Sequence, residues 1–588
     1  MKKDLRWWLT PKDEAHEEVK TAFDQVRDLD EDRQSSMLKY LRMYGGKRQV
    51  GMAASPTPAI VGPKERLRLN VIRNCVDAIS SKMTKIKTAP QFITQKGDYS
   101  KYSQAKDLSL YCNGVFYQNK LYREGIKCFR DGAVLGTGAA KVYGDAENKR
   151  VVVERVYPFE LYVDPREALY GDPRTLYQAR PMDRKVLQEL YPKKQMEIAE
   201  ADAFVDQDII SSGVDEHPDQ VLVIEAWHLP SSKKAKDGRH VLVVSNTTLV
   251  DEEWIQVRFP FAFLRWSEPV VGFWGTGAAE ELYSIQLEIN QLLQHVQASM
   301  RLGSSPTVFL PRNSKINPSH ISNELFNIIE TSGAPYDVKV YGTVHPEIFQ
   351  QIDRLYERAY NIIGISQLSA QSTKPAGLDS GRGLLVYNDI ESERFQVTGE
   401  NFQHWYMDVA DLIISTSREL MKSDVDISVR ASVKNRSNKF IRSIKWSDVN
   451  LDDDAFEMQM MPVSSLPSRP EGRQTVIERW MQNGFIDKTQ AMALMEMPDT
   501  DGFANLELAA YDSVMSAMES IIDNGVFISP EPFDDLTLCI KLAGAVYRRA
   551  RLDGVPEDRL KLLRQYISAA ESLLPAPPPE MTMPPGVQ

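Results

Sequence analysis

Metal- and disulfide-forming patterns are scarce in this chain. Its four cysteines (Cys75, Cys112, Cys128, Cys539) are spread over 588 residues with no C-x-x-C pair, and its eight histidines form neither H-E-x-x-H nor H-x3-H. Few and far apart, the cysteines read as free, buried thiols in a reducing compartment in preference to a zinc site or disulfides. Long apolar runs are missing too. No stretch approaches the roughly 18–20 uninterrupted apolar residues of a membrane helix. The opening Met1-Lys-Lys-Asp-Leu-Arg-Trp-Trp has no apolar core of signal-peptide length, so the expectation is a chain that is cytosolic when made and not inserted in a membrane.

Positive charge is in deficit. Seventy Lys and Arg face 81 Asp and Glu, a net charge of −11. Proteins that grip nucleic acid do so with cations on phosphates, so this is not a conventional DNA binder. Any such contact must be weak or confined to a small basic element. Nucleotide-hydrolysing machinery is also missing, because no G-x4-G-K-[ST] occurs. Gly136-Thr-Gly138 and Gly275-Thr-Gly277 lack the Lys-Ser/Thr and read as turns. Glu280 and Glu281, just after the second, would repel an anion at a helix start. There is no G-x-S-x-G, and Asp452-Asp-Asp454 reads as a solvated loop. The chain is therefore expected to be a non-enzyme with no cofactor and no metal.

Hydrophobic residues at 42% and charged residues at 26% suit a folded protein, and the length leaves room for two to four domains. Residues 11–44 read as two helices, the first capped by Thr10, and 45–63 as a Gly/Pro-rich mobile loop. In 64–88, Leu69, Ile72, Val76, Ile79, Met83 and Ile86 step by three and four, which predicts an amphipathic helix. Strand 91–94, helix 103–131, strands 139–143 and 150–156, a polar helical stretch 181–212 and strands 220–228 and 239–250 complete an α+β region.

The pattern then changes. Residues 278–302 predict a long helix with an apolar stripe (Leu282, Ile285, Ile289, Leu292 or Leu293, Val296, Met300) and an uncharged polar row, Gln286, Asn290, Gln294 and Gln297. Short β pieces at 303–345 lead to a second helix opened by Pro346, with stripe Ile348, Ile352, Leu355, Ala359 and Ile362. A loop of small polar residues (366–383), a long helix (384–422), strands 425–433 and 439–446, and helices at 471–483, 488–496, 534–552 and 556–573 follow. The Pro-rich last 14 residues are expected to be disordered.

Several signatures in this order resemble those of phage portal proteins: V-E-R-V-Y-P-F-E-L-Y-V-D-P at 153–165, F-P-F-A at 259–262 leading to G-F-W-G-T-G-A-A-E-E-L-Y-S-I-Q-L-E-I-N at 272–290, P-V-S-S-L-P-S-R-P-E-G-R at 462–473, N-G-F-I-D-K-T-Q-A at 483–491 and M-P-D at 497–499. The resemblance covers roughly residues 30–500. It implies a predominantly α-helical α+β subunit: N-terminal helices and loop (1–63), an α+β wing (64–277), stem helices (278–302 and 346–365) joined by a small β clip (303–345), a tunnel loop (366–383), a long helix with wing strands (384–470), a helical crown (471–574) and a disordered tail (575–588).

It further implies a ring, usually of twelve subunits, at the unique capsid vertex of the virion, assembled in the host cytoplasm, through which double-stranded DNA is packaged and ejected without sequence specificity. The implied partners are the terminase large subunit, which carries the ATPase, then head–tail adaptors, and the major capsid and scaffolding proteins. The alternative is another structural head–tail connector or minor capsid protein that conducts no DNA. Gln286, Asn290, Gln294 and Gln297 are expected to face either the channel or a neighbouring subunit, and Lys374 and Arg382 to approach DNA. Arg312, Asn313, Lys315, Glu330 and Tyr336 are the expected docking residues of the clip.

Overall fold

The computed structural model describes residues 6–11, 15–45, 69–84, 88–94, 99–207, 214–217, 219–232, 234–304, 307–309, 337–339, 346–365, 395–435, 438–449, 456–462, 470–486, 491, 494 and 501–574. The chain is α+β with most regular structure helical, as expected. It divides into two units: residues 1–84, 124–141 and 155–402 form the first, and residues 85–123, 142–154 and 403–588 the second.

The first unit is organised by a five-stranded antiparallel sheet in the order Thr247–Glu253, Arg239–Val244, Gln220–His228, Thr175–Asp183, Leu161–Tyr162. Alternation sends Tyr177, Ala179, Ile224, Ala226, Val241 and Val243 to one face. There they pack against Val19, Ala22, Phe23 and Val26 of the Ala15–Leu29 helix and against Trp7. Trp7, fully buried, donates its indole N–H to the Tyr177 hydroxyl at 3.0 Å. Arg239, paired with Asp251, also donates to the Trp7 and Thr10 carbonyls. Leu176 and Trp227 join a second core on the opposite face with Phe259, Phe261 and Phe273.

Phe261–Arg265 pairs antiparallel with residues 137–141 of the next sheet, and here the two Gly-Thr-Gly sequences meet. Gly136 has φ +88, and a β-carbon on it would collide with the Gly275 carbonyl. A β-carbon on Gly275 would lie 2.7 Å from the Gly136 oxygen, and one on Gly277 2.8 Å from the Gly136 nitrogen. The Thr137 hydroxyl accepts from Gly275 N–H at 3.0 Å. Gly136 is the bend between the Leu121–Leu135 helix and a strand that Thr137 and Gly138 already belong to, and Gly275-Thr-Gly277 leads into a helix after a bridge from Thr276 to Ser267, so the turn reading holds only in part; the two sequences form one backbone-to-backbone contact. Ala278–Ser304, the long helix, starts directly from it. Pro346–Ile363 packs against that helix, and the Thr307–Phe309 and Asp337–Lys339 strands pair between them in the chain.

In the second unit, Tyr99–Gln118 buries Leu108, Tyr111, Cys112, Val115 and Phe116. It packs on the Ser428–Asn435 and Asn438–Lys445 hairpin. The Tyr111 hydroxyl bonds Ser417 at 3.0 Å, and its ring meets Trp446. Thr88–Ile93 pairs with Glu457–Pro462. Asp501–Glu519, Leu536–Leu552 and Glu557–Leu573 share a core of Met518, Ile521, Cys539, Ala543, Leu563 and Tyr566.

Several expectations need correction. The 64–88 helix spans Val71–Met83, capped by Asn70, which leaves Leu69 outside and exposed. The 103–131 helix is two, Tyr99–Gln118 and Leu121–Leu135, separated at Lys120 by φ +52. Apolar spacing continues through that break, so the pattern hides it. The described residues of 181–212 hold the end of the Thr175–Asp183 strand, the short Arg184–Leu190 and Gln195–Glu200 helices, and the Phe204–Gln207 strand, which pairs with Val214–His217. The 239–250 strand is a hairpin turning at Ser245-Asn246. Strand Thr175–Asp183 was hidden by Pro181, which lies beyond the two-residue Leu161–Tyr162 neighbour, where the strand is an edge that tolerates proline. Strand Phe261–Arg265 and helix Asp501–Glu519 were also missed.

Gly136→Ala is expected to destabilise the first unit by more than about 2 kcal/mol, because it adds a backbone clash to an unfavourable φ. Calorimetry should show this as a fall in the first unfolding transition. Gly484→Ala, also at positive φ but with no atom within 4 Å of the added carbon, should cost about 1 kcal/mol.

Candidate functional site

The polar row of the long helix is the candidate that sequence singled out, and the structure turns most of it inward. Gln286, Asn290 and Gln294 are 2, 5 and 0% exposed. Gln286 Oε1 accepts from the Val71 and Ile72 N–H groups at 2.7 and 3.4 Å, while Nε2 donates to the Leu69 carbonyl at 2.7 Å and to Asn290 Oδ1 at 3.0 Å. The first N–H groups of an α-helix have no partner within it. Here Asn70 Oδ1 accepts from Arg73 N–H at 2.9 Å and Gln286 supplies a second acceptor from another helix. Asn70 Nδ2 also donates to the Met43 and Tyr44 carbonyls. The amides therefore join three helices: Glu31–Gly45, Val71–Met83 and Ala278–Ser304.

This corrects the expectation that Gln286, Asn290 and Gln294 face a channel or a neighbouring subunit. Buried inside the chain, they are uncharged because a charge there would lack compensation. Gln297 is half-buried. Gln294 differs from Gln286: among the described residues neither atom of its amide has a hydrogen-bond partner. The helix face left open carries Glu281, Ser284, Glu288 and His295. The apolar stripe of Pro346–Ile363 follows Ile352, Leu355 and Ala359 as expected, but closes on Tyr360 and Ile363, with Ile362 50% exposed. Arg312, Asn313, Lys315, Glu330, Tyr336, Lys374 and Arg382 lie outside the described residues, as does Asp452-Asp-Asp454.

A second cluster escaped sequence reasoning. Across the five-stranded sheet, on the Trp227 face, runs a polar ladder of Glu252, His240, Glu225 and Gln178. His240 Nδ1 lies 2.7 Å from Glu252 Oε1 and its Nε2 2.9 Å from Glu225 Oε1. Lys141 Nζ lies 2.5 Å from Glu225 Oε2 and 3.3 Å from Gln178 Oε1, and 4.7 Å from the Trp227 ring centroid. Gln178 in turn donates to Glu160 at 3.0 Å. Burial works against the Glu225 carboxylate, but Lys141 and His240 outweigh it and bring its pKa down to about 2. Burial likewise opposes imidazolium at His240, yet bonds to Glu225 and Glu252 hold its pKa above the ordinary value. The period-2 alternation of 220–228 could have exposed Glu225 as an inward polar residue, but its partners come from sequence positions far away.

Among the described residues, no three His, Cys, Asp or Glu side chains gather as a metal site would require. All four cysteines are free and buried, and burial pushes the Cys75 thiol up to about 12. No helix among the described residues is long and apolar enough to cross a membrane.

Two outcomes follow from these geometries. Gln286→Met strands buried backbone donors and is expected to cost about 2–3 kcal/mol, whereas Gln294→Met removes an orphaned amide and is expected to be neutral or to stabilise by about 1 kcal/mol. Paired denaturation curves of the two variants measure this. The ladder sets a pH window. The His240 contribution is complete below the ordinary imidazole value of about 6.5 and declines as pH rises through the raised one. The Glu225 contribution is complete above the ordinary carboxylate value of about 4.3 and is lost as pH falls toward about 2. The melting-temperature difference between wild type and His240→Gln should therefore shrink from pH 6.5 upward, and thermal melts across pH test it.

Residues 20–258 match the family model for Phage P22-like portal protein. No curated protein matches the chain. The matched stretch holds the Val71–Met83 helix, the V-E-R-V-Y-P-F-E-L-Y-V-D-P sequence and the five-stranded sheet with its charged ladder. Over those residues the chain is similar to the P22-like portal proteins, the family that its sequence signatures resemble.

Proposed function

We propose that the chain is one subunit of a portal ring at the unique capsid vertex, a structural, non-enzymatic conduit through which double-stranded DNA enters and leaves the head. The observation that carries this reading is the portal-family match over 20–258, and it is followed in the chain by two mutually packed helices with a β pair between them. In that reading the matched region is the wing, Ala278–Ser304 and Pro346–Ile363 are the stem, 303–345 is the clip, and the helices beyond 470 are the crown.

The subunits close head to tail, so that one surface of each copy meets a different surface of the next, usually twelve to a ring. Arg312, Asn313, Lys315, Glu330 and Tyr336 dock the terminase large subunit and later the head–tail adaptors, and capsid and scaffolding proteins surround the wing. Lys374 and Arg382 approach the duplex from the tunnel loop. The low affinity that sliding demands comes from the acidic balance of the chain. The open face of the long helix, with Glu281 and Glu288, repels phosphate and does not hold it.

Electron microscopy of the purified protein is the test. The expected outcome is a ring with an axial hole wide enough for a duplex. A solitary monomer in sedimentation at high concentration, or a closed oligomer without such a bore, would falsify the reading.

A further inference from the structure

The C-terminal helices of this acidic chain carry a local surplus of positive charge. Of residues 501–588, all seven Lys and Arg lie between 541 and 564: Lys541, Arg548, Arg549, Arg551, Arg559, Lys561 and Arg564, against Asp553, Glu557 and Asp558. They sit on the Leu536–Leu552 and Glu557–Leu573 helices, which pack against each other within the second unit.

Three of the seven are engaged. Arg549 pairs with Asp553, Arg564 with Glu557, and Arg559 donates to the Ile522 carbonyl and covers the Tyr99 ring. The other four are exposed, and among the described residues Lys541, Arg551 and Lys561 have no ion-pair or hydrogen-bond partner, while Arg548 reaches only the Gly544 carbonyl of its own helix.

Their placement follows helix geometry. Leu536, Cys539, Ala543 and Ala550 form the buried face. Lys541 and Arg548, seven residues apart, point to the opposite side, and Arg551 flanks them. Lys561 stands likewise opposite Leu560, Leu563 and Tyr566 on the second helix. From Lys541 to Arg551 the stripe runs about 15 Å, the axial length of roughly four phosphates on one strand of a duplex.

We infer that the outward sides of these two helices are a nucleic-acid contact, taking the phosphate backbone of double-stranded DNA without reading sequence. Protein partners anchor on buried aromatic and apolar side chains. Around the four cations the exposed groups are mostly small or polar, Ala545, Gln565 and Ser568, with Leu552 at the end of the first helix and the carboxylates Glu557 and Asp558 beside Lys561. A net charge of −11 does not forbid the contact, because screening over about 8 Å makes the local surplus decide. Naming the polyanion as duplex DNA rests on the portal reading. Many copies in a ring would multiply a contact that is weak in one.

The test uses the full-length protein and fluorescence anisotropy with labelled duplexes of two unrelated sequences at low salt. Both should bind alike, with an affinity that falls steeply as salt rises. The variant K541E/R548E/R551E/K561E should lose more than about tenfold in affinity and most of the salt dependence. The neutral variant K541Q/R548Q/R551Q/K561Q should fall between, and circular dichroism should show both variants folded. Unchanged binding by the glutamate variant overturns the inference. So does binding of polyglutamate in place of duplex, which would assign the face to an acidic protein. Microscopy of the same preparations separates the two readings. Rings with charge-independent DNA binding leave the portal standing and remove this surface, and charge-dependent binding by a protein that forms no ring does the reverse.

Discussion

Two main-chain segments pressed together at Gly136 and Gly275 hold the first unit in its form. The contact admits no β-carbon on either side, so it is stiff in a way that a side-chain interface is not. On one side it continues into the strand that pairs with Phe261–Arg265, and on the other into the Ala278–Ser304 helix. The long helix therefore departs from the sheet at a fixed point. A strut that must hold its direction needs such a root, since a degree of freedom at its base would be amplified along its length.

About two turns further along the same helix, Gln286 secures it sideways. Its amide makes contacts in both directions to the start of Val71–Met83. A carboxylate or ammonium at that position would leave half of those groups unmet and add an uncompensated buried charge. The absence of charge along this row has an internal cause, and the outer face is where the helix presents its carboxylates. Charge elsewhere is handled the same way. Where Lys141, Glu225 and His240 are withdrawn from water, each has a partner of opposite sign. On the C-terminal helix pair, four cations are left unmatched in solvent. A buried charge without a partner is costly, while an exposed one is free to meet another molecule.

Much of this was legible from residue order. The two N-terminal helices, the paired long helices, the hairpin strands near 428–445 and the C-terminal helix pair were all foreseen, because each carries a local period that its own burial satisfies. The break at Lys120 and the strand running through Pro181 were not, because there the chain obeys a neighbour from another part of the sequence and not its own pattern. The polar row was read correctly as a row and placed wrongly, since periodicity identifies a face but not what covers it.

By itself the sequence determined most of the long helices, the acidic balance, the lack of enzymatic and metal motifs and the family resemblance. These depend on composition and short-range spacing. Only the tertiary structure decided that the two Gly-Thr-Gly sequences meet, that Gln286 caps a helix over 200 residues away in the chain, and that His240 lies between two carboxylates. Those contacts join residues distant in sequence, and long-range geometry is set by packing, which no local pattern encodes.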